Sequence, residues 1–267
     1  PSEFGMSATR LQRIDKVFSA AIRAGGFPGG SVVVGRKGAS VFEKGYGTLG
    51  WNNKTPVVAS RTIYDLASLT KVVATTTAIM ILYDEGKIRL DDPVRKYLPA
   101  FGGGAKDDVT LYHLLEHRSG LPAGRDLWRI ALTPDEARFA AMMTPLECLP
   151  GKCYIYSDLG ADMLAFVAEA VAGKSLDAFI QERVFAPLGM RDTYFRPHWS
   201  LADRIGPTEL TPPRGYPLRG EVQDENAFAL GGVAGHAGLF STATDLAVFA
   251  QMMLNGGEIN GVRIVAD

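Results

Sequence analysis

Ser68 and Lys71 stand three residues apart in "DLASLTKVVATTTAIMIL", the stretch from Asp65 to Leu82. Positions three apart share a helix face, so the Lys71 amine can reach the Ser68 hydroxyl. A serine becomes a nucleophile only beside a base. A lysine held out of water can serve, because desolvation favours the neutral amine. The bland alternative is a serine N-cap followed by a lysine whose stem lies along the surface. Against it, the first turn of a helix disfavours a cation. The residues around and after the pair, Leu69, Val72, Val73, Ala74, Ile79, Met80 and Ile81, also read as a central, buried helix. The N-terminus of that helix would offer the Ser68 amide to a developing oxyanion. The chemistry predicted is acyl transfer through serine.

A second group follows 88 residues after Ser68, in "PGKCYIYSDLGADML". Tyr156, Ser157 and Asp158 come after a Pro-Gly turn and before a helix, where a loop side chain is readily presented to a cleft. Tyr154 and Tyr156 are both candidates, and either could instead be a core aromatic with a satisfied hydroxyl.

Three other patterns mislead. "GYGTLG", Gly45 to Gly50, has the glycine spacing of a dinucleotide fingerprint, but the "WNNKTP" after it cannot open a helix for pyrophosphate. "GKS" at 173–175 lacks the upstream glycine of a phosphate-cradling loop, and Gly173 reads better as a helix cap. "HLLEH" spells an inverted zinc-protease signature with His113, Glu116 and His117, yet "RSGLP" stops its helix at once and no third ligand is evident. No cofactor or metal is expected. No G-x-S-x-G elbow occurs, which argues against an α/β-hydrolase.

The elements that must position these groups come from 267 residues, enough for one large domain or two small ones. A net charge of −1 excludes an electrostatic footprint for nucleic acid. No run of eighteen apolar residues predicts a membrane span. "PSEFG" reads as a cloning scar, with Met6 as the native start, and "SATRLQRIDKVF" is amphipathic rather than a signal sequence. A cytoplasmic location is therefore the default, and with it reduced thiols at Cys148 and Cys153, although the Leu-Pro-Gly-Lys turn between them would permit a bridge.

Apolar spacing predicts a helix over 8–24. "GSVVVGRKGASVFEKGYG" predicts a hairpin, 61–195 is mainly helical with helices at 160–172 and 175–188, and 197–232 is a Pro- and Gly-rich excursion. "STATDLAVFAQMML" is a capped helix. A lone hairpin is marginal, and no later segment clearly supplies partners, so the sheet looks unfinished.

Taken together, "YDLASLTKVVAT", "LDDPVRKYLP", "HLLEHRSGLP", "PGKCYIYSDLGADMLA" and "GHAGLFSTATDLAVFAQMMLNGG" resemble the serine β-lactamase-like hydrolases: class C β-lactamases, D-alanyl-D-alanine carboxypeptidases and family VIII esterases. The resemblance runs through nearly all of 8–260. It implies an α+β, β-lactamase/transpeptidase-like fold, with an antiparallel sheet flanked by helices and a large mainly helical region. It makes Ser68 the nucleophile, Lys71 its partner and Tyr156 the tyrosine of a Y-x-N motif. The expected organisation is a partial α/β domain from 6–60 and 231–267, and a helical domain over 61–230 carrying the catalytic residues.

Two departures matter. Asp158 replaces the usual Asn, and a carboxylate accepts hydrogen bonds but cannot donate one to a substrate's amide carbonyl. It should also hold Lys71 charged, leaving Tyr156 as the general base and favouring simple esters over penicillin-type acyl amides. The third motif, K-T-G or H-T-G on an edge strand, is matched only by His236-Ala237-Gly238, with no room for a strand before the next helix. That stretch resembles a separate upstream element, which would put the third motif and the closing strands beyond Asp267. The expected partner is a small-molecule ester or β-lactam. A reading of another class is a non-catalytic protein that binds or self-associates as a homo-oligomer through unpaired strand edges.

Overall fold

Lys37 and Gly38, both left-handed (φ 51° and 77°), close the predicted hairpin with the two-residue turn that suits twisted strands. The structure, a computed structural model, describes residues 1–210 and 212–267. Two short N-terminal helices, α1 (Ala8–Leu11) and α2 (Arg13–Arg23), precede strands β1 (Gly29–Arg36) and β2 (Ala39–Gly50). The strands are antiparallel, with Val32 opposite Lys44 and Val34 opposite Phe42. Phe18 of α2 stacks on Tyr46 of β2 at 4.5 Å, and Asp15 accepts from the Tyr46 hydroxyl at 2.6 Å. "GYGTLG" lies within β2 rather than at a helix start.

The hairpin is not alone. β2 turns through Trp51 and Asn52 into β3 (Asn53–Pro56), giving the order β1-β2-β3. A second sheet joins β4 (Tyr64–Asp65), β5 (Tyr194–Phe195) and β6 (Leu239–Ser241) in the order β4-β6-β5, with Asp65 and Tyr194 both opposite Phe240. A last hairpin pairs β7 (Glu258–Ile259) with β8 (Val262–Arg263). These strands escape sequence reading because two to four residues are too few to display alternation. The expectation that no strand follows His236-Ala237-Gly238 is thereby corrected: β6 begins at the next residue and is buried at every position.

The helical part is built on two crossing elements. One begins with π-wound backbone over Lys71–Thr76 and continues as α3 (Thr77–Asp84). After it come α4 (Leu111–Leu115), α5 (Leu127–Ile130) and α6 (Pro134–Met142). The other is α7 (Asp158–Ala172), capped by the Ser157 hydroxyl on the Gly160 N–H and ended by left-handed Gly173 as predicted. Beyond it, α8 (Leu176–Ile180), a π-wound turn and α9 (Ala186–Leu188) fill the predicted 175–188 helix. Ala74, Ala78, Ile79 and Leu82 pack with Met163, Leu164 and Val167 in one core. The helix after Ser68 is less buried than its composition suggests: Leu69 and Val72 are 51% and 55% exposed. Only one side of that first turn meets protein, the side carrying Thr70, Lys71 and Ala74.

The return of the chain includes α10 (Glu225–Ala229) and α11 (Ala243–Leu254), the latter capped by Thr242 on the Asp245 N–H. Between them, residues 235–239 pass between the two central helices. Gly235 makes this possible, since a Cβ there would meet the Ala161 carbonyl oxygen at 2.1 Å.

Candidate active site

Ser68 is set by its neighbours on both sides. Asp65 accepts from the Ala67 N–H at 2.9 Å through Oδ1 and from the Gln223 N–H at 2.8 Å through Oδ2. Ala67 is held at φ 45°, a left-handed conformation that a residue with a Cβ rarely adopts and that persists only where its surroundings enforce it. Here Leu66 donates to the Leu239 carbonyl at 2.9 Å, and the Leu239 N–H donates to Thr70 Oγ1 at 3.1 Å. The strand β6 thus grips the chain on either side of the serine.

Lys71 is 7% exposed, and its ammonium is surrounded by acceptors. It donates to Ser68 Oγ at 2.9 Å and to the His236 carbonyl at 3.4 Å, and it lies 2.6 Å from Asp158 Oδ1. That last oxygen has no well-aligned hydrogen-bond donor, yet opposite charges this close attract whatever the angle, so the contact is an ion pair. With Ser68 Oγ, the His236 carbonyl and Asp158 around it, the Lys71 nitrogen is placed to donate to the serine oxygen.

Tyr156 faces the Lys71 side chain. The Lys71 ammonium lies 4.7 Å from its ring centroid. Burial pushes the phenol up, but hydrogen bonds with Ser68 and Lys71, and the ammonium's charge, bring it below its ordinary value. The ring is held by His117, whose centroid lies 4.5 Å away. His117 sits at φ 57° just past α4 and accepts the Ser157 N–H through Nδ1 at 3.1 Å, which leaves the proton on Nε2. Burial and the charge of Lys71 keep this imidazole below its usual range. His113 caps α4 with Thr110, so the two histidines of "HLLEH" are turned to separate main-chain tasks.

Ser68, Lys71, Tyr156 and Asp158, all expected from the sequence, come together around one ammonium. Tyr154, the alternative tyrosine, does not: it is 64% exposed, and its ring lies edge-on to His117 with 6.2 Å between centroids. Cys148 and Cys153, expected to be reduced, are joined in a disulfide on the same loop. The Glu147 and Gly151 amides donate to the Gly120 and Arg118 carbonyls at 2.8 Å each. Pinned on both arms, the turn brings the cysteine Cα atoms to 6.5 Å, within bridging reach.

No local spacing joins His236 with Asp162 and Asp224. His236 is 1% exposed, with Nδ1 at 2.7 Å from Asp162 Oδ1 and Nε2 at 2.9 Å from Asp224 Oδ1. Desolvation opposes its charge, but the two carboxylates prevail and raise it to about 10. The one available signal was Asp162 itself, an acid one turn beyond Asp158 on the apolar face of α7. Asp158, Asp224 and His236 approach one another within 4.8 Å, yet both ring nitrogens are already engaged on carboxylates and an ammonium lies alongside. The group is an ion-pair network.

A serine with an adjacent lysine at the head of a buried helix, faced by a tyrosine on the loop before a second helix, defines a serine-hydrolase scaffold. The chain belongs to the beta-lactamase family, whose model matches residues 14–266. An Escherichia coli K12 protein provisionally named D-alanyl-D-alanine carboxypeptidase is 34% identical, over 99% of this chain and 68% of its own length. Among solved structures, the octameric penicillin-binding protein homologue from Pyrococcus abyssi superposes with a TM-score of 0.78 at 26% identity, covering 96% of this chain. This chain spans 58% of that one. A class C beta lactamase from Rhodobacter sphaeroides shares the fold, with a TM-score of 0.75 at 22% identity, over 93% of this chain and 67% of its own. No helix among the described residues is long and apolar enough to cross a membrane.

Proposed function

We propose that the protein hydrolyses carboxylic esters through an acyl-enzyme on Ser68. The observation that carries this is the Lys71 ammonium at 2.9 Å from Ser68 Oγ, with a depressed Tyr156 phenol hydrogen-bonded to both. Tyr156, as phenolate beside the charged Lys71, takes the Ser68 proton while Oγ attacks the ester carbonyl. The Ser68 N–H, at the head of its helix, is one donor for the oxyanion. Collapse breaks the ester C–O bond, and Tyr156 returns its proton to the departing alcohol. Water, deprotonated by the same phenolate, then releases the acid and restores Ser68. Lys71, paired with Asp158, stabilises the phenolate.

Asp158 decides the order of substrate classes. Where an asparagine would donate to an acyl amide, this carboxylate only accepts and is paired with Lys71. Esters therefore come first. β-Lactams and D-alanyl peptides come second, a reading favoured by the provisional name of the Escherichia coli relative. The catalytic groups belong to the region 61–230, with 6–60 and 231–267 as its supporting sheet and helix. The Cys148–Cys153 bridge favours an oxidising compartment over the cytoplasm.

A fluorophosphonate probe followed by intact-mass analysis tests the proposal. Stoichiometric labelling that Ser68→Ala abolishes supports the hydrolase. Folded protein that stays unlabelled supports instead a binding or self-associating protein. Labelled protein is then assayed on p-nitrophenyl butyrate and a chromogenic cephalosporin to rank the classes.

A further inference from the structure

The strap of residues 235–239 is fastened to both central helices. The Gly235 N–H donates to Asp162 Oδ1 at 3.0 Å, and the Gly235 carbonyl accepts from Thr75 Oγ1 at 2.7 Å. The His236 carbonyl receives the Lys71 ammonium, and the Leu239 N–H is held by Thr70. Three of these partners, Thr70, Lys71 and Thr75, lie on the helix of the nucleophile, and Asp162 lies on α7, which follows directly from Tyr156 and Asp158. At the centre is the His236 side chain, gripped from both sides by Asp162 and Asp224. Asp162 Oδ2 is buried with no hydrogen-bond partner, so this carboxylate depends on the imidazolium for its charge balance.

Resting on the serine-hydrolase reading, we propose that His236 is a positioning residue for the catalytic lysine. Clamped between Asp162 and Asp224, it holds its own main-chain carbonyl against the Lys71 ammonium and fixes the two central helices at the separation that brings Tyr156 to Ser68. Without the clamp, Lys71 loses its third acceptor and is drawn toward the carboxylates of Asp158 and Asp224, away from Ser68 and the Tyr156 ring. The titratable groups facing Tyr156 are Lys71, Asp158 and His117; those facing His236 are Asp162 and Asp224, with Asp158 within 4.8 Å. The clamp itself touches neither substrate nor nucleophile. Its effect passes through Lys71.

The test replaces the buried ion pair with two amides of similar shape, His236→Gln with Asp162→Asn, which keeps net charge constant. Exchanging both partners is tolerated far better than removing one, and a thermal melt establishes folding. The readout is the second-order rate of Ser68 labelling by a fluorophosphonate, measured against pH. A folded double variant is expected to label about 10²-fold more slowly, the cost of misplacing a catalytic group by an ångström. Its acid limb is expected about one pH unit higher, because the Tyr156 phenol loses a cation at contact distance. A folded double variant with the parent's rate and acid limb overturns the proposal and leaves the triad a structural pin. Should the double variant not fold, Asp224→Asn, at the partly exposed end of the clamp, is read in the same way, with a smaller slowing expected and an unchanged profile overturning it. An unlabelled parent overturns the hydrolase reading, and this proposal with it. A labelled parent with unaltered variants overturns this proposal alone.

Discussion

Asp158 Oδ1 lies 2.6 Å from Lys71 Nζ, so the residue at the third position of the tyrosine motif is paired with the lysine of the serine motif. On the proposed reading, this contact occupies the side chain that would otherwise meet an acyl amide. Asp158→Asn restores an amide donor and releases the pair. The ratio of cephalosporin to p-nitrophenyl ester turnover should then rise by about tenfold, the scale of one gained hydrogen bond of roughly 1.5 kcal/mol. Steady-state kinetics of the two substrates on parent and variant check it. A ratio that stays flat or falls removes Asp158 from the specificity argument.

Tyr156 carries the proton in the proposed mechanism and little of the fold, since it is 47% exposed. Tyr156→Phe keeps the ring against His117 and deletes only the hydroxyl. Acylation should slow by about 10²–10⁴-fold, the usual worth of a positioned acid–base group, with an unchanged melting temperature. Single-turnover labelling and a thermal melt on the same sample separate the two effects. Retention of the parent's rate would make Lys71 the base after all.

The His236 clamp predicts an alkaline loss of stability. Its folded pKa is raised from 6.5 to about 10, so the folded state binds a proton that the unfolded chain has released. The stabilisation is complete below about pH 6.5 and declines as pH rises toward 10. Asp224 has the opposite sign: burial opposes its charge, but the bond to His236 takes it from 3.8 to about 2. Its contribution is present above pH 3.8 and is lost as pH falls through about 2. Urea denaturation across pH 6–10 should show a steeper decline for the parent than for the His236→Gln, Asp162→Asn double variant. Parallel curves would remove the imidazolium from the stability account.

Gly235 is a point of steric contact rather than of flexibility. A Cβ there would stand 2.1 Å from the Ala161 carbonyl oxygen and 2.9 Å from Ala165 Cβ. The first is main chain inside α7 and cannot turn aside. Gly235→Ala should therefore destabilise by about 1–3 kcal/mol or more and slow Ser68 labelling, because the strap it displaces carries the His236 carbonyl. Denaturation midpoints and labelling rates moving together bear this out; a stable variant with slowed labelling would place the effect in the site alone.

Local rules made much of the site readable from the chain. The three-residue spacing of Ser68 and Lys71 works through one helical turn. The Ser157, Gly173 and Thr242 caps, and the Lys37-Gly38 turn, each depend on a residue's own stereochemistry. Tyr156 and Asp158 became candidates because a Pro-Gly turn before a helix is a recurring place to present side chains. What stayed hidden was non-local or short. β4, β5 and β6 are two or three residues each and exist only because they pair with one another. The exposure of Leu69 and Val72 depends on which side of a helix end meets protein.

By itself, the sequence determined that a nucleophile, an amine and a phenol were available, and on which elements they stood. The residues alone left Tyr154 and Tyr156 open, and the family resemblance chose Tyr156; only the tertiary structure decided that Cys148 and Cys153 bridge and that His236 lies between Asp162 and Asp224. Asp162 and His236 are 74 positions apart. Nothing in a local stretch encodes such a pairing, because its energy arises only when two distant segments exclude water from the same space and set a buried carboxylate against the imidazolium.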